Sequence, residues 1–237
     1  MTIHDVQMQR REDVAEATAA FHFSKPGDFV FVPGQALDLI LPSLEGEASR
    51  HAFSIVSAPH EPDLVITTRL RDSAFKRALG SLALRGAAQV DGPFGSLTLH
   101  RNPKRDALFV AGGIGITPFM SMLRHAARNP TAQRIALLYS NHRPEDAAFL
   151  QELERLAKDN PRFELRATMT AMERSGKPWT GETRRIDAAM VRDVVAGLRS
   201  PIVYVAGPPA MVAAARGVVV EAGIDGDDIR TEDFAGY

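Results

Sequence analysis

Residues 107–123 read ALFVAGGIGITPFMSML, and this stretch decides the fold. The apolar run Ala107-Leu108-Phe109-Val110 has the continuous hydrophobicity of a strand buried on both faces. Gly112, Gly113 and Gly115 follow, where the chain must turn sharply and the absent Cβ atoms leave room for a close backbone approach. Thr117 is a good N-cap and Pro118 suits a first helical position, so the turn runs straight into a helix. A strand, a glycine turn and a capped helix present open amides and a helix dipole to an anion, the arrangement that holds a nucleotide phosphate. An ordinary strand-to-helix loop with packing glycines is the other reading of these residues alone.

The same alternation continues downstream. Apolar strands are expected at Ala107 to Val110, Ile135 to Tyr139, Phe163 to Thr168 and Ile202 to Ala206. Helices are expected at Pro118 to Ala127, Pro144 to Ala157, Ile186 to Leu198 and Pro209 to Ala222. Alternating strands and helices imply βαβ units and a parallel sheet. Pro144-Glu145-Asp146 opens its helix with a proline and two acids, as the helix dipole favours. The segment Tyr204-Val205-Ala206-Gly207-Pro208-Pro209-Ala210-Met211-Val212 ends a second buried strand on a glycine. Ligands of open α/β sheets bind at the carboxyl ends of the strands, so Gly207 belongs on the same rim as Gly112 and Gly113.

Upstream the pattern changes. Short runs at Phe29 to Val32, Leu37 to Leu41 and Leu64 to Thr68 are separated by the turn signals Lys25-Pro26-Gly27, Pro33-Gly34-Gln35 and Asp91-Gly92-Pro93. One helical segment, Ser73 to Leu84, interrupts them. This reads as a small antiparallel barrel. The polar stretch His100 to Arg105 marks the boundary, giving domains over 1–101 and 102–237.

Composition excludes several classes. The 237 residues carry a net charge of −1, which gives no electrostatic case for nucleic acid or an anionic membrane. The first 100 residues hold 9 basic and 12 acidic groups and the remainder 19 and 17, so the second half is mildly cationic. Cysteine is absent, which rules out thiolate-ligated iron–sulfur or zinc centres and disulfides within this chain. The seven histidines are scattered without an HExxH pair, so no metal site is expected. No signal-like N-terminus or membrane-length apolar run is present, and a cytoplasmic location is the expectation.

Two further segments carry chemistry. In Arg50-His51-Ala52-Phe53-Ser54, Arg50 has the forked geometry for a phosphate, Phe53 a stacking surface and Ser54 one hydrogen-bonding hydroxyl. On a regular strand Arg50, Ala52 and Ser54 share one face and His51 and Phe53 the other, so a bend is needed to aim all three at one ligand. A surface strand with one buried Phe accounts for the segment equally well. In Arg71-Asp72-Ser73-Ala74-Phe75, Asp72 or Ser73 is the expected N-cap of the short helix, with the next amides open to an anion. A plain helix cap explains these residues too.

In this order the segments resemble the motifs of the ferredoxin–NADP reductase superfamily. RHAFS is similar to its flavin motif, AGGIGITP to its nicotinamide-nucleotide motif and AGPPAMV to its Cys-Gly-Pro-Pro motif. PGQALDL, DGPFGSLTL and the C-terminal EDFAGY match in kind and order. The resemblance implies a six-stranded antiparallel flavin-binding barrel followed by a Rossmann-like parallel-sheet domain that binds NAD or NADP. It implies that Arg50 binds flavin phosphates, Phe53 lies along the ring and Ser54 acts near N5 as the catalytic residue, with Ala52 and Thr67 alongside. It assigns the FAD pyrophosphate to Asp72, Ser73 and Ala74. The nicotinamide nucleotide falls to Gly112, Gly113, Gly115, Ile116, Thr117 and Pro118 with Gly207, Pro208, Pro209 and Met211. Ser140, Asn141 and Arg143 fall at the adenosine ribose, and Phe234 or Tyr237 over the flavin. Two departures stand out: Ala206 replaces the cysteine of the Gly-Pro-Pro motif, and Phe53 replaces a tyrosine.

The activity so implied is hydride transfer from NAD(P)H to FAD, then electron transfer to a separate acceptor: a ferredoxin, a flavodoxin or an oxygenase component. A free-flavin or ferric-chelate reductase, and an electron-transfer subunit inactive alone, are the alternatives. His142 and Arg143 tilt the coenzyme reading toward NADP. Trp179, the one tryptophan, either caps the coenzyme or anchors its own loop.

Overall fold

The computed structural model describes residues 2–234. Tyr237, one of the two candidates to cover the flavin, lies outside them. The chain forms two compact units, one of the residues up to Thr98 with Thr117–His125, the other of Leu99–Ile116 with the residues from Ala126 onward.

The first unit is built on a six-stranded antiparallel sheet of β1 (Thr2–Ala15), β2 (Thr18–Ser24), β3 (Ala36–Ile40), β4 (Arg50–Ser54), β5 (Asp63–Arg69) and β6 (Ala87–Phe94), in the order β4-β3-β6-β1-β2-β5. The long strand β1 serves two partners. Thr2 to Gln7 pair with β6 and Met8 to Ala15 with β2, with irregular register on either side of Arg10–Asp13. The two ends of the sheet are joined just beyond β4, where Val56 N donates to Val65 O at 2.8 Å and Val65 N to Ser57 Oγ at 3.0 Å. That closure makes a barrel. Phe21, Phe23, Leu37, Leu39, Phe53 and Ile66 fill it, and Phe75 and Leu79 of α1 (Ala74–Ser81) pack with them. Within this unit, Ser121 Oγ of α2 (Thr117–Arg128) donates to Ser57 O at 2.7 Å.

Two expectations for this unit are corrected. Phe29 to Val32 keeps the alternation of a strand, with Phe29 and Phe31 buried and Val30 80% exposed, but it joins no ladder. Three strands were not anticipated: β1, β2 and β6, the last of which runs straight through Asp91-Gly92-Pro93, where a turn was expected. Strand β1 is mostly exposed and charged, burying only Val6 and Met8, and β2 is buried along almost its whole length without alternation.

The second unit is a five-stranded parallel sheet of β7 (Ala107–Gly112), β8 (Ile135–Asn141), β9 (Phe163–Met169), β10 (Ile202–Gly207) and the unanticipated edge strand β11 (Ile229–Asp233), in the order β11-β10-β7-β8-β9. The chain steps outward from β7 to β9 and then returns to the other side of β7, so the strand order reverses between β7 and β10. Every residue of those two strands is buried, which is why their sequences are continuously apolar. One face packs Leu108, Val110, Val203 and Val205 against Met190 and Val194 of α4 (Ala188–Val195) and Val212 and Val219 of α5 (Pro209–Glu221). The helix expected over Pro144 to Ala157 is broken into a 3₁₀ turn at Pro144–Asp146 and α3 (Leu150–Asp159), with Phe149 between them at φ 62°.

At the opposite end of the sheet from the glycines, Asp106 ties three segments together. It is fully buried. Its carboxylate accepts from Arg134 N at 2.9 Å, from Arg199 N at 2.8 Å and from the Arg199 guanidinium at 3.0 Å. Burial opposes its ionisation, but the Arg199 hydrogen bond and the two amides outweigh burial and hold the carboxyl below the usual Asp value. The stability it contributes is therefore present at neutral pH and lost as pH falls through that depressed value. Asp106→Ala removes the acceptor of the Arg134 and Arg199 amides, at about 1 kcal/mol for each lost hydrogen bond. We expect a markedly lower melting temperature for that variant, and for Asp106→Asn a weaker acid dependence of melting than in the parent.

Candidate functional site

The rim of the parallel sheet is set by the register of β7 and β10. Ala111 pairs with Ala206, so Gly112 and Gly207 stand level at the ends of adjacent strands. A Cβ on Gly207 would lie 3.2 Å from Gly112 O. After β7 the chain makes a 3₁₀ turn at Gly113–Ile116, entered with Gly113 at φ 54°. That turn closes down on β10: a Cβ on Gly115 would stand 2.1 Å from Ala206 O and 2.6 Å from Gly207 Cα. No side chain fits there, so Gly115 is required by packing between two strand ends. Thr117 is not the N-cap. It is the first residue of α2, continuing directly from the 3₁₀ turn, because the turn itself begins the helical winding four residues earlier. Pro208 caps α5 and Pro209 is its first residue, as expected. The Met211 thioether leans over the paired glycines, 3.0 Å from where a Cβ of Gly112 would stand and 3.1 Å from that of Gly207. Phe234 N donates to Gly207 O at 3.0 Å, which anchors the residue after β11 at the same strand end.

One strand over, β8 ends at Ser140 and Asn141. Asn141 is 6% exposed, and its amide Oδ1 and Nδ2 have no hydrogen-bond partner. Its neighbour His142 lies with Nδ1 3.3 Å from Thr170 Oγ1. Arg143 grips Asp146 in two hydrogen bonds, Nε to Oδ2 at 2.9 Å and Nη2 to Oδ1 at 2.7 Å. Glu145 holds the loop after β9, accepting from Gly176 N at 2.7 Å, Lys177 N at 3.1 Å and the Ser175 hydroxyl. In that loop Trp179 Nε1 donates to Glu182 O at 2.9 Å, and its ring lies where a Cβ of Gly181 would fall, so Trp179 braces its own loop.

In the barrel, the pairing of β4 with β3 is regular from Arg50 to Ser54, with no bend. Arg50 and Phe53 therefore point to opposite faces, and the structure does not bring the two together. The Arg50 guanidinium is held by Asp91 at 2.7 Å and Asp38 at 3.5 Å. Burial and the Asp91 charge push the Asp38 carboxyl up, against the pull of Arg50. Phe53 faces inward, 4.9 Å from the His51 ring and 5.9 Å from Phe75. Ser54 and Thr67 are 6% and 2% exposed, and neither hydroxyl has a hydrogen-bond partner. An unmade hydrogen bond at such depth costs roughly 1–3 kcal/mol, so both groups call for a polar partner that no neighbouring side chain or backbone group supplies. Between Asp72 and Ser73 the cap is resolved: Ser73 Oγ accepts from Lys76 N at 3.2 Å, while Asp72 pairs with Arg77. Ala74 is the first residue of the helix.

Sequence reasoning missed two groups here, His51 and Lys76. His51 lies 5.5 Å from Phe75. Burial, then the Lys76 charge, hold its imidazole below the usual His value. Lys76 is 5% exposed, and burial followed by the charges of Arg71 and Arg69 lower its ammonium. Three cationic side chains, Lys76, Arg69 and Arg71, thus crowd the first turn of α1, with the His51 imidazole beside them. The available signal was parity: on a regular strand His51, not Arg50, shares the face of Phe53.

Residues 109–217 match the family model described as the oxidoreductase NAD-binding domain. The chain is 33% identical over 196 residues to ferredoxin–NADP reductase B of Sorangium cellulosum, covering 79% of this chain and 78% of that protein. This chain belongs to the ferredoxin–NADP reductase family. It is also 30% identical over 220 residues to the glycine betaine monooxygenase reductase subunit of Chromohalobacter salexigens, spanning 92% of this chain but only 60% of that relative. The ferredoxin reductase of a carbazole 1,9a-dioxygenase superposes with a TM-score of 0.80 at 20% identity, over 98% of this chain and 69% of that one. The cytochrome b5 reductase domain of Ulva prolifera nitrate reductase gives 0.81 at 19% identity, over 98% and 97%. These two show the shared fold, a barrel followed by a parallel-sheet domain.

For this reductase-family chain the tightest packing constraint at the rim is Gly115. Gly115→Ala should part the 3₁₀ turn from β10, lowering the melting temperature and weakening nucleotide binding together. Calorimetry that found either one unchanged would contradict the packing role.

Proposed function

We propose that this chain is a flavoprotein reductase that takes a hydride from a nicotinamide dinucleotide and delivers electrons to a separate protein acceptor. The observation that carries the reading is the pair of buried, unpartnered hydroxyls on Ser54 and Thr67 in the barrel, in a chain that also carries a glycine rim at a strand-order reversal, where α/β sheets bind nucleotides.

Each unit fits its ligand. Ser54 and Thr67 would offer hydrogen bonds to the polar edge of a flavin ring, and the catalytic role is assigned to the Ser54 hydroxyl. The amides that open α1, capped by Ser73, with Lys76, His51, Arg69 and Arg71 around them, suit the diphosphate of FAD; an anion there relieves the crowding of positive charge. Arg50, occupied by Asp38 and Asp91, is left to brace β3, β4 and β6. In the second unit Gly112, Gly113 and Gly207 leave the backbone bare for the nicotinamide nucleotide, with Ile116, Pro208 and Pro209 shaping the turns beside it. Met211 moves aside or packs on the ligand, since its thioether now lies over the glycines. Bound FAD supplies a ring that accepts hydride and releases electrons singly.

The acceptor is read as a ferredoxin-like carrier or an oxygenase component, because the relatives include a ferredoxin–NADP reductase and a glycine betaine monooxygenase reductase subunit. Among the described residues no helix is long and apolar enough to cross a membrane.

The test is the visible spectrum of the purified chain after incubation with FAD, before and after anaerobic addition of NADH or NADPH. Flavin bands that bleach support the proposal. Ser54→Ala should retain the flavin and bleach about tenfold more slowly, the worth of one hydrogen bond. Absence of flavin binding, or bound flavin that neither coenzyme reduces, would overturn the reading.

A further inference from the structure

The coenzyme reading above leaves open which dinucleotide is used, and the end of β8 carries the answer. Two observations meet there. The first is the Asn141 side chain, nine-tenths buried at the carboxyl end of the strand, with neither Oδ1 nor Nδ2 hydrogen-bonded. An amide of this kind needs one donor and one acceptor opposite it. A ribose hydroxyl is both. A phosphate monoester offers acceptors alone, so it answers Nδ2 and leaves Oδ1 unmatched.

The second is the charge of the following turn. The Arg143 guanidinium, the natural partner of a 2′-phosphate, is spent on Asp146 through a bidentate pair in which both side chains are largely shielded from water, 23% and 19% exposed. Glu145 stands beside them and is directed to Ser175, Gly176 and Lys177. The turn from His142 to Asp146 thus sets one guanidinium against two carboxylates. A dianionic phosphate entering it meets a neutralised arginine and a net negative field. A free 2′-hydroxyl meets no such opposition.

We propose that the Arg143–Asp146 pair, with Asn141, makes this site select the dinucleotide whose adenosine ribose carries a free 2′-hydroxyl, NADH, over its 2′-phosphorylated counterpart. The inference rests on the nicotinamide-nucleotide reading of this rim and reverses the tilt toward NADP that His142 and Arg143 give in the sequence alone. Asp146 acts as the specificity-determining residue by holding Arg143.

Titration calorimetry of the full chain with NAD⁺ and with NADP⁺ tests it without any turnover. The unaltered protein should bind NAD⁺ more tightly than NADP⁺ by about tenfold or more, the worth of one net hydrogen bond. Asp146→Asn should release Arg143 and raise NADP⁺ affinity selectively, and the double variant Arg143→Ala/Asp146→Asn should lose that gain. NADP⁺ binding as tight as NAD⁺ in the unaltered protein would overturn the inference while leaving the nucleotide site intact, and so would an unchanged ratio in a folded Asp146→Asn. Binding of neither nucleotide would overturn the nicotinamide-nucleotide reading itself, and this inference with it.

Discussion

Everything at the nucleotide rim depends on one close approach. The carbonyl oxygen of Ala206 lies where a side chain on residue 115 would begin, so the 3₁₀ turn after β7 rests directly on the end of β10. That approach fixes how the chain leaves β7, and with it the direction in which the amides of the turn point. Beside it Gly112 and Gly207 stand level, where a Cβ on Gly207 would press on the Gly112 backbone and one on Gly112 would meet the Met211 side chain. The cysteine expected of the Gly-Pro-Pro motif is Ala206 here, and it is the backbone of this residue that the packing uses.

The barrel rests on a different device. Strand β1 is shared between two partners, and the irregular register in its second half lets one continuous segment serve β6 and then β2. Closure beyond β4 then sets Phe53 among the core aromatics and leaves Arg50 facing the acids of β3 and β6. The buried hydroxyls of Ser54 and Thr67, with Asp91 Oδ1, are atoms at which this unit leaves hydrogen bonds unmade.

What was legible in the sequence follows from burial. The strands β7 and β10 are covered on both faces, so their sequences are apolar without a break and their boundaries are plain. The glycine turn, the double proline before α5 and the serine cap of α1 are local signals, and each lies where the residues indicate. Strand β1 was illegible because ladder hydrogen bonds hold it while twelve of its fourteen side chains reach water at least in part; β11 is an edge strand of the same polar kind. The Arg50–Asp91 pair spans 41 residues and depends on the register of three strands, which no spacing reveals. Arg143 and Asp146, three residues apart, were within reach, but the acids were credited to a helix start that the left-handed Phe149 displaces to Leu150.

The central claim is that the hydride passes from the nicotinamide to the flavin on this chain. Single-turnover reduction of the FAD-loaded protein with NADH deuterated at C4 tests it most directly. The account predicts that label on one face of the nicotinamide slows flavin bleaching by a primary isotope effect while label on the other face does not, because a fixed rim presents only one face. Bleaching equally insensitive to both labels would contradict it.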